Sequence, residues 1–154
     1  MTSPVPRPVV DAFYQAYMSL DPQRIGALLG DDVEWEIAGP VEVMQVCGHW
    51  RGKAAVIDHF ARVIPQVIDF KSLEIEHLLV DGDCSAMFGR ISSVHKRTGR
   101  RISHRVAHVA RYRDGKVVFF RVINDSLDAA EQFIGHEIDL TGPADAAHDD
   151  VVAV

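Results

Sequence analysis

The segment RISHRVAHVARYR carries two histidines, His104 and His108, four residues apart. In a helix that spacing would set both imidazoles on one face, where they could share a metal ion. The β-branched residues and the Gly- and Asp-rich turns on either side predict a strand instead, with the two Cα atoms ~13 Å apart. No metal and no cofactor is therefore expected. As a strand, the segment sorts its residues by polarity. Arg101, Ser103, Arg105, Arg111 and Arg113 fall on one face; Ile102, His104, Val106, His108, Ala110 and Tyr112 fall on the other. Arginines need water or a partner, so the second face is the inner one. Two readings stand for His104, a packed ring with a backbone partner or a ligand contact. His108, deeper in the apolar row, is the better candidate to point into a pocket.

The preceding run, Cys84–Lys96, has two mixed faces. If Cys84, Ala86, Phe88, Arg90, Ser92 and Val94 face inward, Arg90 is a buried guanidinium that needs a carboxylate. Asp125, just past the last strand, is the candidate. In the opposite register Arg90 is exposed. Asp125 has a second possible task, capping the helix expected in NDSLDAAEQF. In the last strand Phe120, Val122 and Asn124 share one face and Phe119, Arg121, Ile123 and Asp125 the other. A bulge would decide which of Asn124 and Asp125 enters a cavity; Asp125 is expected to.

The elements that must position these residues follow from periodicity. Residues 1–8 hold three of the seven prolines and read as a loose arm. Helical spacing predicts a helix from Val9 to Leu20, a short second one from Pro22 capped by Asp21, and a third from Lys53 to Ile64 closed by Pro65. Val33, Trp35 and Ile37 alternate with glutamates in a strand, and Ala38–Arg51 reads as a long apolar loop. Phe70–Val80, Cys84–Lys96, Arg101–Arg113 and Val117–Ile123 are four strands joined by DGD, KRTGR and RDGK turns, an antiparallel meander. A final short helix runs to Ile134, within a single domain over residues 9–137, and residues 138–154 form an acidic tail. The expected architecture is α+β: a cone-shaped, curved antiparallel sheet packed against three N-terminal helices, with an internal apolar pocket.

Composition narrows the partners. With 154 residues, 47% of them hydrophobic and 25% charged, the chain is long enough to bury a core without disulfides or metals. No apolar run is long enough for a membrane span. A net charge of −6 and a basic hairpin, HKRTGRRISHR, without interleaved aromatics argue against nucleic acid. The hairpin arginines are expected to pair with Glu74 and Glu76 or to lie in a homodimer interface through the sheet. Two isolated cysteines, Cys47 and Cys84, and the lack of a leader pattern predict a cytoplasmic protein.

The order of elements, with DDVEWEIAGP, HWRGKAAVIDHF and HVARYRDGKVVFFRVINDS as its local marks, resembles the nuclear transport factor 2-like superfamily. Within it the resemblance is to SnoaL-like polyketide cyclases, ketosteroid isomerases and limonene epoxide hydrolases, over about residues 9–134. The positions that serve ketosteroid isomerases hold Phe13, Ile37 and His108 here, which removes the hydroxyl and the base of that chemistry. Of the epoxide hydrolase set, Arg90 and Asp125 match but Ser92 replaces a carboxylate. The SnoaL-like cyclases imply Asp125 as acid/base with His108 nearby. The resemblance thus implies a small apolar, cyclic or polyketide-like ligand and isomerisation or cyclisation next to a carbonyl. Asp125 would move the proton, His108 would hydrogen-bond the enolate oxygen, and Arg90 would keep Asp125 ionised. Phe13, Tyr17, Trp35, Phe88, His104 and Phe120 would contact the ligand. A non-catalytic binding or scaffolding module, and epoxide hydrolysis, are the alternatives.

Overall fold

The computed structural model describes residues 3–141. Pro8 suits the first turn of α1 (Arg7–Ser19), because its missing N–H would have no partner there. Asp21 then caps α2 (Pro22–Gly26), its Oδ1 accepting from the Gln23 and Arg24 backbone N–H groups at 2.9 and 3.2 Å. The expected loose arm is partly ordered: Val5 is buried, its N–H donates to the Gly82 carbonyl, and the helix begins at Arg7. The acidic tail expected from residue 138 lies largely outside the described residues.

The sheet has six strands: β1 (Leu29–Ala38), β2 (Gly48–Arg51), β3 (Ile68–Asp81), β4 (Cys84–His95), β5 (Arg101–Arg113) and β6 (Lys116–Asn124). Their order is β2-β1-β6-β5-β4-β3 in a curved, open sheet. The four-strand meander is as expected, but β1 joins β6 in parallel and β2 emerges from the stretch read as a loop. Only four residues of that stretch pair, too few for periodicity to register. The third helix also runs past Pro65. It consists of α3 (Lys53–Asp58), a π-turn (His59–Val63) and α4 (Ile64–Val67), and the Ile64 N–H donates to the His59 carbonyl across the π-turn. Proline there lacks an N–H to lose, so a locally widened helix carries it without a break. Helix α5 (Ser126–Ile134) closes the fold.

The inner sheet face packs on α1 through a cluster of rings. Trp35 and Phe120 approach to 4.2 Å between centroids, Phe13 and Phe120 to 5.2 Å, and all three are buried. The curvature has a local cause. Strand β3 carries two bulges opposite β4, between Phe70 and Ser72 and between Ile75 and His77. At the second, the β3 backbone comes so close to Gly89 that a Cβ there would stand 2.1 Å from the Glu74 carbonyl oxygen. Glycine is thus required by contact rather than by backbone angle, a requirement invisible in the pattern of β4. Gly89→Ala is expected to lower stability by about 2–3 kcal/mol in urea unfolding. Gly82→Ala, in a turn with φ of 57° and nothing within 4 Å, should cost about 1 kcal/mol. Equal losses at the two sites would contradict this origin of the bend.

Candidate functional site

An apolar cavity of about 60 Å³ opens where the inner sheet face meets the helices. Strands β3 and β4 contribute Ile68, Phe70 and Ile91; the helices and the β1–β2 loop contribute Leu20, Phe60, Ile64, Met44 and Val46; α5 covers it with Phe133. Four lining residues carry polar side chains: Tyr17, Ser93, His104 and Asn124.

Strand parity decides that set. In β5 the inner face is as expected, with Ile102, His104, Val106, His108, Ala110 and Tyr112 all buried. In β4 the inner face is Ser85, Met87, Gly89, Ile91, Ser93 and His95, so Arg90 and Phe88 face outward. In β6 a bulge beside Tyr112 resets the pairing, and from there Phe120, Val122 and Asn124 point inward. Asn124 therefore enters the cavity and Asp125 does not.

The expected trio is not assembled. The Asp125 carboxylate lies on the outer side, paired with Arg105 at 3.0 Å. Asp125 occupies the N-cap position of α5 without a side-chain capping bond, so neither expected task engages its carboxylate. Arg90 turns instead to the Ser103 carbonyl and hydroxyl, both at 3.4 Å. Of the hairpin arginines, Arg105 pairs with Asp125 and Arg100 donates to the Phe133 carbonyl at 3.0 Å, rather than either pairing with Glu74 or Glu76. His108 is fully buried, stacked 5.9 Å from the Tyr14 ring and edge-on to Tyr17 and Phe120, and does not line the cavity. Of the expected ligand contacts, Tyr17 and His104 line the cavity. Phe13, Trp35 and Phe120 are core, and Phe88 is 49% exposed on the far face.

At the polar end, His104 Nε2 lies 3.0 Å from Asn124 Oδ1, and Asn124 Nδ2 donates to the Ala38 carbonyl at 2.7 Å. Ala38 and Asn124 end the parallel pair β1 and β6, which leaves the Ala38 carbonyl free to accept. Burial lowers the His104 pKa, against a smaller opposing effect of the Asn124 hydrogen bond. Cys47 lies beside this group, its thiol directed to the same carbonyl at 3.8 Å, and burial raises its pKa to about 11. Asn124 was visible in the sequence as an alternative; the Ser93 and Ala38 contributions had no local signal.

The model of the SnoaL-like domain matches residues 10–120, and the chain belongs to that family, within the nuclear transport factor 2-like superfamily. A putative isomerase from Rhodopseudomonas palustris is 26% identical, with a TM-score of 0.75 over 83% of this chain and 97% of its own. A nuclear transport factor 2-like protein from Burkholderia thailandensis is 28% identical, with a TM-score of 0.70 over 80% and 93%. The fold is shared too with TerC, co-crystallised with polyporic acid, at 24% identity and a TM-score of 0.71 over 82% and 95%. No curated protein matches the chain. Among the described residues no helix is long and apolar enough to cross a membrane.

Burial holds back protonation of His108 to about pH 3 and of His59 to about pH 4, from 6.5. The unfolded chain takes up these protons first as pH falls, so stability is full above pH 6.5 and declines from there toward pH 4. The slope reaches up to ~1.4 kcal/mol per pH unit for each histidine. Neither nitrogen of His108 has a hydrogen-bond partner in the protein. His108→Leu is therefore expected to raise stability by about 1 kcal/mol at pH 7 and to flatten the acid slope by up to one proton. Urea titrations across that range check both, and a loss of stability at pH 7 would contradict the packed reading.

Proposed function

We propose that the protein binds a small, ring-sized apolar molecule in this cavity and exchanges a proton next to a carbonyl, with His104 as the acid/base. The observation that carries this reading is the cavity's make-up: apolar walls meeting one imidazole, one amide and two hydroxyl-bearing residues. A buried histidine whose pKa is lowered is neutral near pH 7 and able to accept a proton. The Asn124 carbonyl holds the ring and steadies its charged form. Ser93 and Tyr17 bring hydroxyls to the same lining, the kind of donor that steadies a developing enolate. The resemblance to a putative isomerase and to TerC with its polyporic acid supports the ligand class. Among the described residues no Asp or Glu lines the cavity, so epoxide opening by two carboxylates lacks its groups here.

Deuterium uptake next to the carbonyl of small cyclic ketones, followed by NMR, tests the assignment. His104→Gln should slow exchange about 100-fold or more, while Asp125→Asn leaves it within about twofold, as expected of an exposed ion pair. Loss of exchange in Asp125→Asn alone would overturn it. Binding without exchange in the wild type would favour the non-catalytic module.

We infer also that the outer sheet face meets a second copy of the chain. Phe88 and Ile123, each 49% exposed, flank Ala107 in register across β4, β5 and β6, an apolar strip bordered by Arg105 and Arg121 with their carboxylates. Sedimentation should show a dimer for the wild type and a monomer for Phe88→Glu; a monomeric wild type would refute it.

A further inference from the structure

Away from the cavity, the outer face of β3, β4 and β5 carries a groove of about 420 Å³ whose lining includes Lys71, Ser92, Arg101 and Ser103. Ser103 is its fixed point, because the Gln132 side chain bonds its backbone N–H at 2.7 Å and its carbonyl at 2.9 Å. Ser103 Oγ accepts from the Ser92 hydroxyl at 3.1 Å and from Arg90 Nη1 at 3.4 Å. A hydroxyl has two lone pairs and one proton. Both lone pairs are engaged, one of them by a guanidinium, and among the described residues the proton has no acceptor. Hydrogen bonds arriving at an oxygen polarise its own O–H and make it a stronger donor. The partner that Ser103 lacks is therefore an acceptor.

The charges around it agree. None of the ion pairs among the described residues includes Arg90 or Arg101. Lys71 is paired with Asp69, and Glu74 stands in register with Arg90 without an ion pair. A net charge of −6 disfavours a long polyanion or an anionic lipid surface, which leaves a small anion. Three separate donors (a hydroxyl, a guanidinium and an ammonium) suit a group with three acceptor oxygens, as a phosphate has and a carboxylate has not. The groove is also separate from the apolar strip at Phe88, Ala107 and Ile123. Ser103 lies four residues along β5 from Ala107, about 13 Å at the rise of a strand.

We propose that this groove binds the phosphate group of a small phosphate monoester, with the Ser103 hydroxyl, the Arg101 guanidinium and the Lys71 ammonium as donors. Arg90 and Ser92 act through Ser103 by holding and polarising its hydroxyl. The site stands whether or not the cavity performs chemistry.

Titration of inorganic phosphate into the ¹⁵N-labelled protein, with chloride keeping the ionic strength constant, tests this. Saturable shifts at millimolar phosphate are expected in the amides of Ser92, Arg101 and Ser103. Acetate at the same concentrations should bind about fivefold more weakly or less. Ser103→Ala should weaken phosphate binding about tenfold, the worth of one hydrogen bond to a charged group, while Ser103→Thr keeps it within about threefold. Should Ser103→Ala fail to fold, Arg101→Gln is expected to show the same tenfold loss. Shifts that do not saturate, that spread evenly over the other arginine-bearing surfaces, or that persist unchanged in these variants would overturn the site. Equal affinity for acetate would overturn the phosphate assignment.

Discussion

The pleat of β6 governs the chemistry open to this protein. Successive residues of a strand point to opposite faces, so a shift by one position exchanges every inward group for its neighbour. The bulge beside Tyr112 sets that parity for Phe120, Val122 and Asn124. An amide is thereby placed where a carboxylate would otherwise stand, and Asp125 is sent to the outer surface with Arg105. A cavity bearing Asp125 would have presented a carboxyl group; one bearing Asn124 and a buried His104 presents an amide and an imidazole. Acid/base work then depends on a neutral imidazole whose orientation is held by its neighbour.

That holding is cooperative across distant segments. Ala38 belongs to β1, His104 to β5 and Asn124 to β6, and they meet because β1 and β6 run parallel and end together. The loop after β1 folds back so that Cys47 touches the same carbonyl. Helix α5 is fixed over the cavity by Gln132, whose side-chain amide bonds both the N–H and the carbonyl of Ser103 as another strand would. The lining residue Phe133 follows directly in that helix. Wall and polar end are therefore both tied to β5.

Much of this was legible in the sequence. The meander came from hairpin turns, and the faces of β5 from five polar residues in one parity. The Asp21 cap came from an Asp-Pro pair. Strand β4 resisted because both its faces mix polar and apolar residues, and its inner face carries Ser85, Ser93 and His95. What settles it is the bulge pairing at Gly89, a contact between chain segments that no local pattern records. The expected trio is kept apart for a related reason. Asp125 is a charge beside a strand end, but its placement depends on one bulge in β6. His108 was rightly placed inside, but the rings of Tyr14, Tyr17 and Phe120 fill the space around it.

The most direct measurement is the tautomeric state of His104 at neutral pH, from long-range proton–nitrogen correlations in the uniformly ¹⁵N-labelled protein. The ring is expected to be neutral and protonated at Nε2, with Nδ1 bare, and to lose that preference when Asn124 is replaced by Leu. A ring protonated at Nδ1, or carrying both protons at pH 7, would contradict it.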